Sequence, residues 1–417
     1  MNSDRQKIPL ILMLKRMKNS KPVRKFNAYV SSFFPPKKYN GIPGKILIFR
    51  NDRIGDAVVT LPVLRDIKLN YPSVKIDIVT SKVNEFLFID SPYIDNIIDI
   101  KLNCNETSLL YKLPLLGGLL LSFKYLVIPF ITSKEHRLKL SQLKKQKYDL
   151  AIDLVGLKRN SMIANYASSF SAGPGRIFPF LFYDYYSETN WVSPDDSDFM
   201  TRKLEKFIEN SSGIRFTKRD TTSPVTNEIK LSTTSDKYDI IFHFGAPELR
   251  KMEYDKEKAL ASGFTDKKIL ITDSHESVTF VKLKKELQNN TNVSFKLFPS
   301  LYSLAEAAVG SKILFCYDGG QSHFLSQYLR TVTLFGPGSP HLWKPYEYSD
   351  YKLLKQYTGN GRVMESEGKL KHIMIYIPMW CNPCFDTGCQ TRPCLNNIGP
   401  DLVIKVLKDN LDPNNAE

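Results

Sequence analysis

No stretch of this sequence is both long and apolar enough to read as a membrane span. Ile8–Leu14 is too short, and residues 113–132 are interrupted by Pro114, Gly117-Gly118, Lys124 and Pro129. No small-residue cleavage site follows the first run, so a secretory signal is not expected. Cysteine is scarce: there are six in 417 residues, and four of them fall within 381–394. A disulfide framework is therefore not expected. Neither α/β series carries G-x-G-x-x-G between its first strand and helix, which argues against a dinucleotide-dependent oxidoreductase. No repeat of fixed period stands out. Acidic residues are the remaining shortage, 43 against 58 Lys and Arg. That surplus is local: residues 1–45 carry a net +10 and residues 124–147 a net +6, so the rest is close to neutral.

Both basic segments lie beside apolar ones, "KIPLILMLKRMKNSKPVRKF" near the start and 113–132 running into "SKEHRLKLSQLKKQK". Lys and Arg next to Leu and Phe suit an anionic membrane surface, at about 1 kcal/mol per basic residue near the headgroups. A solvated tail with a buried helical hairpin fits the same composition, and that alternative stays open. No recognition motif accompanies the charge, so nucleic acid is not an expected partner. The expected location is cytoplasmic, peripheral on the inner face of the cytoplasmic membrane.

A chain of this length should form two domains with ample cores. Residues 1–43 form a basic amphipathic arm ending in Pro35, Pro36, Gly41, Pro43 and Gly44. From Lys45, strands and helices alternate: strand 45–50, helix 56–70, strand 74–80, short helix 82–88, strand 95–101, strand 148–156, helix 158–169 and helix 199–211. The polar, threonine-rich segment 213–236 reads as a linker. The alternation then resumes with strands at 238–245, 267–273, 293–298, 311–317 and 331–335 and helices at 254–263, 277–289, 302–309 and 321–330. The fold class is α/β, parallel strands with crossover helices. The expected domains are 44–212, with an apolar and basic insertion at 105–147, and 237–417.

Two stretches carry the chemistry. "KILIFRNDRIGDAVVTLPVL" (45–64) is a buried-type strand feeding a turn at Gly55 and a helix from Asp56, which sets backbone N–H groups at the carboxyl edge of a sheet. Asp56 read alone could be only a helix cap. "CYDGGQSHFLSQYLRTVTLFGPGSPHLWKPY" (316–346) places Asp318-Gly319-Gly320 after another strand and His323 one turn into the next helix. A second glycine loop, Gly336-Pro337-Gly338, follows the adjacent strand, and together the two loops could seat a diphosphate.

The "R-x-D-R-I-G-D-x-V-x-T-x-P" run, "SPYIDNIID" (91–99), "YDLAIDLVGLKRN" (148–160) and the 318–346 block, in that order, resemble glycosyltransferase family 9, the heptosyltransferases of lipopolysaccharide assembly. The resemblance implies two Rossmann-like domains facing a cleft (the GT-B architecture). It further implies an inverting reaction without a metal or other required cofactor, and a nucleotide-sugar donor, typically ADP-heptose. The acceptor would be lipopolysaccharide or another lipid-linked glycan. Carried onto matching positions, Asp56 is the general base, with Arg53 and Gly55 of its turn on the acceptor and phosphate side. Lys251 matches the lysine near the donor phosphates. Asp318, Gly320 and His323 match the donor block, in which Gly319 also lies, Gly336 belongs to the second donor loop, and Glu276 is a looser match for a nucleotide contact. The sequence departs from the pattern at Gly319, where Ser or Thr is usual, at Arg330, where Gly is usual, and at Glu253-Tyr254, where a tryptophan is expected. The alternatives are a Rossmann-type oxidoreductase and a non-catalytic nucleotide-binding protein.

Cys381, Cys384, Cys389 and Cys394 have a spacing that could wrap a structural zinc, or they could remain thiols; disulfides among them would need an oxidising compartment, which is not expected. A D-x-D within 194–199, the mark of metal-dependent transfer on another fold, sits in a proline-led loop and is discounted.

Overall fold

The computed structural model describes residues 35–100, 134–174, 183–187, 199–220, 229, 231–232, 236–345, 351–356, 361–379, 381, 384, 389 and 391–411. Most of the basic arm, residues 105–133 of the insertion and the D-x-D at 194–198 lie outside them.

The chain forms two compact units, each built on one sheet. One contains the described residues up to Asp52 and those within Asp66–Ser193 and Lys203–Lys218; the other contains those within Arg53–Arg65, Pro194–Arg202 and Arg219–Glu417. The sequence reading put the whole of 44–212 in the first domain, whereas by contact the 53–65 segment, Asp56 included, belongs with the second.

In the first unit β1 (Lys45–Arg50), β2 (Lys75–Thr80), β3 (Asn96–Ile98), β4 (Tyr148–Asp153), β5 (Ser168–Pro174) and β6 (Tyr185–Ser187) form an all-parallel sheet in the order β3-β2-β1-β4-β5-β6. That is the order of a dinucleotide-type doubly wound fold, and its ligand edge lies at the carboxyl ends of β1 and β4. Ile46, Leu47, Ile48 and Phe49 are fully buried, as expected for a central parallel strand covered on both faces. Helix Lys134–Lys145 lays Leu140 and Leu143 on this core and leaves Leu138 53% exposed.

The second sheet repeats the order. β7 (Ile240–His243), β8 (Ile269–Asp273), β9 (Val293–Leu297), β10 (Ile313–Tyr317), β11 (Arg330–Leu334) and β14 (Ile373–Tyr376) run parallel as β9-β8-β7-β10-β11-β14. β12 (Tyr351–Gln356) and β13 (Arg362–Ser366) extend it as an antiparallel edge. Phe242, Phe244, Phe315 and Tyr317 pack ring to ring in its core.

The strand at 45–50 lies where the sequence placed it. The helix expected over 56–70 is two helices, Ile54–Val58 and Leu61–Asn70, with Pro62 inside the first turn of the second, where proline is tolerated. The helix expected over 321–330 ends at Leu325, and β11 begins at Arg330. Arg330, the departure from the family glycine, binds Glu365 at 3.0 Å and the Lys371 carbonyl at 2.9 Å, so it ties β11 to the turn joining β13 and β14.

Candidate active site

The site of the second unit is assembled from the exits of β7, β10 and β11 together with the turn 53–58. After β10 the chain passes Asp318 and an extended Gly319 (φ 167°) into helix Gly320–Leu325. Ser322 closes this entry: its hydroxyl accepts the Gly319 N–H at 3.3 Å and donates to the Gly319 carbonyl at 2.8 Å. Gln321 donates to the carbonyls of Gly245 and Tyr317 at 3.2 and 3.1 Å, which locks the β7 and β10 exits together.

The turn carrying Asp56 touches this entry through backbone. A Cβ on Gly55 would lie 3.1 Å from His323 Cδ2 and 3.4 Å from Gly320 Cα, closer than ordinary packing, so the approach depends on two glycines meeting. Asp56, half-buried, is thereby close enough to Asp318 for its charge to act there. Burial pushes the Asp318 carboxyl up to about 6; Arg250 pulls it down and Asp56 adds to the rise. The Arg250 guanidinium stands 3.6 Å from Asp318 Oδ2. The backbone of Gly338 lies against the same carboxylate, so that a Cβ there would collide with it. The two glycine loops therefore do converge on one acidic group.

His323 is 2% exposed, and burial pushes its ring down to about 4, so it is neutral at physiological pH. Its Nδ1 is buried and has no hydrogen-bond partner among the described residues, and its ring meets Trp343 edge-on at 6.1 Å. Lys251 follows the 3-10 turn Glu248–Arg250 and is 2% exposed. Its ammonium is 3.9 Å from Glu248 Oε1 and holds down the buried Glu257, whose carboxyl burial nevertheless lifts to about 7. Tyr317 donates to Glu257 at 2.5 Å and accepts the Met252 N–H at 3.2 Å. Lys251 is thus a backed, desolvated cation at the β7 exit.

The remaining expected residues fall into place less uniformly. Arg53 is exposed at the start of helix Ile54–Val58. Gly336 packs on Leu395 rather than opening toward the Asp318 loop. Glu276 is exposed between β8 and helix Val278–Leu287. The acid that organises that junction is Asp273, which accepts Ser277 Oγ at 2.6 Å and the Ser274 N–H at 2.7 Å. Among the described residues no group of three or more His, Cys, Asp or Glu side chains is arranged to hold a metal ion; Cys381, Cys384, Cys389 and Cys394, the four of the zinc reading, stand within reach of one another's charge. These cysteines are free thiols; burial, and then the charges of the other three, push Cys394 up to about 11.

Sequence reasoning missed Arg250, Gln321, Trp343 and Arg392. Arg392 donates to the Glu248 and Lys251 carbonyls at 2.6 and 3.2 Å and so fixes the lysine loop from the cysteine-rich segment. Arg250 was within reach of the sequence, one position from Lys251 in a loop leaving a buried strand; Arg392 was not, because its partners lie more than 140 residues away.

The first unit has a polar edge of its own at the carboxyl ends of β1 and β4. Arg50 pairs with Asp52 at 2.9 Å, the Asn51 and Asn160 amides pair, and the fully buried Asp153 accepts Tyr183 at 2.5 Å and Asn160 at 3.2 Å.

The sequence matches no protein-family model and no curated protein. Solved structures do match. The glycosyltransferase family 9 protein from Veillonella parvula aligns with a TM-score of 0.62 at 16% identity, over 88% of this chain and 97% of that one. Escherichia coli ADP-heptose lipopolysaccharide heptosyltransferase II aligns at 0.58 and 15% identity, over 89% and 100%. Escherichia coli heptosyltransferase WaaC, solved with ADP, aligns at 0.54 and 16% identity, over 73% and 91%. At these identities the likeness is one of fold, and the fold is the double-Rossmann GT-B fold of glycosyltransferases.

Proposed function

We propose that the protein is an inverting glycosyltransferase of family 9 type, moving a heptose-like sugar from a nucleotide sugar to lipopolysaccharide or another lipid-linked glycan. The observation that carries this reading is the backbone contact of Gly55 with Gly320, which brings Asp56 to the Asp318 loop. The fold shared with heptosyltransferases, and the ADP in one of those structures, support an ADP-sugar as donor.

In this reading Asp56 takes the proton of an acceptor hydroxyl as its oxygen attacks the anomeric carbon. The bond from that carbon to the diphosphate breaks on the opposite face, and the nucleoside diphosphate leaves with the electron pair. A single displacement inverts the anomeric centre. Lys251, already desolvated, offsets the charge gathering on the leaving diphosphate. Neutral His323 can donate or accept a hydrogen bond without adding charge. The polar edge of the first unit, rich in amide and carboxylate groups, suits acceptor hydroxyls.

The test combines an ADP-sugar with truncated lipopolysaccharide and follows ADP release. Transfer should survive EDTA. Asp56→Asn should lower kcat by about 10²–10⁴-fold while keeping nucleotide affinity. Full activity in Asp56→Asn would remove the assigned base.

The membrane role belongs to the same proposal. Helix Lys134–Lys145 buries Leu140 and Leu143 and presents Arg137, Leu138, Lys144 and Lys145 outward, a basic face suited to anionic headgroups. No helix among the described residues is long and apolar enough to cross a membrane. The protein should pellet with vesicles containing phosphatidylglycerol and not with neutral ones, and charge reversal at Arg137, Lys144 and Lys145 should weaken pelleting. Equal recovery with both vesicle types would contradict a peripheral location.

A further inference from the structure

We propose that Arg250 is a phosphate-binding residue of the donor site, held by Asp318 until a nucleoside diphosphate takes over its guanidinium. The inference rests on the donor-site reading above and adds to it the cation that meets the ligand.

The backbone around Arg250 is fixed while its side chain is not. The Arg250 N–H donates to the Pro247 carbonyl at 2.7 Å and the Lys251 N–H to the Glu248 carbonyl at 3.3 Å. Arg392 holds the carbonyls of Glu248 and Lys251 from one side, and Tyr317 holds the Met252 N–H from the other. The guanidinium, by contrast, makes only two long contacts among the described residues, both through Nη1: 3.6 Å to Asp318 Oδ2 and 3.5 Å to the Asp318 carbonyl. Its remaining donors meet no partner among the described residues, and the side chain keeps 35% of its surface exposed.

Lys251 differs in each respect. It is 2% exposed, and its charge is shared with Glu248 and Glu257. Of the two neighbouring cations, Arg250 is the more exposed and can bond a ligand directly, while Lys251 acts through its charge. A planar fork of N–H donors matches phosphate oxygens in pairs, which a single ammonium does not.

Charge balance gives Asp318 its part. Buried beside Asp56 and packed against the Gly338 backbone, its carboxylate holds the Arg250 guanidinium at the loop that would receive the diphosphate. Without Asp318 the cation loses its place. Its loose ion pair can be exchanged for tighter, charge-assisted bonds to phosphate.

The experiment titrates ADP and adenosine calorimetrically into the full-length wild type, Arg250→Ala and Arg250→Lys, with melting temperatures measured alongside. Arg250→Ala should weaken ADP binding about tenfold or more, the effect of one charge-assisted contact, and leave adenosine affinity unchanged. Arg250→Lys should fall between the two, and all three proteins should melt within a few degrees of one another. Unchanged ADP affinity in Arg250→Ala would overturn the inference, as would equal losses for ADP and adenosine. If the wild type binds neither, the donor-site reading fails first and Arg250 with it.

Discussion

Glu257 shows how a single residue can set the pH response. Burial lifts its carboxyl from 4.5 to about 7, despite Lys251 and the Tyr317 hydrogen bond, so the folded chain holds this proton longer than the unfolded chain. Its contribution is therefore most favourable below about pH 4.5 and is lost as pH rises toward 7. Buried histidines have the opposite sign. His243 and His323 are pushed down to about 4 and His372 to about 3, so what they contribute is present above about pH 6.5 and lost as pH falls through those values. Glu257→Gln removes only the first effect. Melting curves of both proteins should show the variant gaining on the wild type between pH 4.5 and 7; a constant difference across that window would mean that Glu257 does not titrate there.

At the scale of elements, the segment after β14 works as a brace. Helix Pro393–Asn396 puts Leu395 on Gly336, and Arg392 on the lysine loop, while the Cys384 N–H donates to the Pro337 carbonyl at 2.8 Å. Arg392 itself adopts a left-handed backbone, φ 37°, at the start of that helix. Arg392→Ala loses the hydrogen bonds and keeps the strain, so it should cost about 1–2 kcal/mol and lower kcat by loosening Lys251. Arg392→Gly loses the same bonds but relieves about 1 kcal/mol of strain, and should melt above the alanine variant. The reverse order would mean that the strain is not there. None of this brace was legible, because it depends on contacts distant in sequence. β1, β7 and β10 were legible, since each is a continuous apolar run covered on both faces. β5 was not: "SSFSAGP" has small polar residues where a strand signal is sought, and it follows helix Lys158–Ala167 with no intervening turn. The hairpin β12–β13 was missed too, as its alternation is broken by a register shift between Leu353 and Lys355. Within the site, Asp56 and Asp318 stood out because each adjoins a glycine turn, and His323 as a histidine one turn into the helix that follows; Arg250 adjoins no glycine, and Gln321, though next to Gly320, is a residue type with no chemistry to single it out.

For the whole molecule, two sheets with one strand order give two carboxyl edges, one lined with amides and carboxylates, the other with Asp318, His323, Arg250 and Lys251. The assignment of substrates follows that difference in charge: hydroxyls to the first, a diphosphate to the second. The most direct test of this account is calorimetric titration of ADP, UDP, GDP, CMP and NAD, without added metal, into the wild type and Asp318→Ala. The account predicts that the wild type selects ADP and that Asp318→Ala loses this binding. Binding of NAD alone, or ADP binding unchanged in Asp318→Ala, would contradict it.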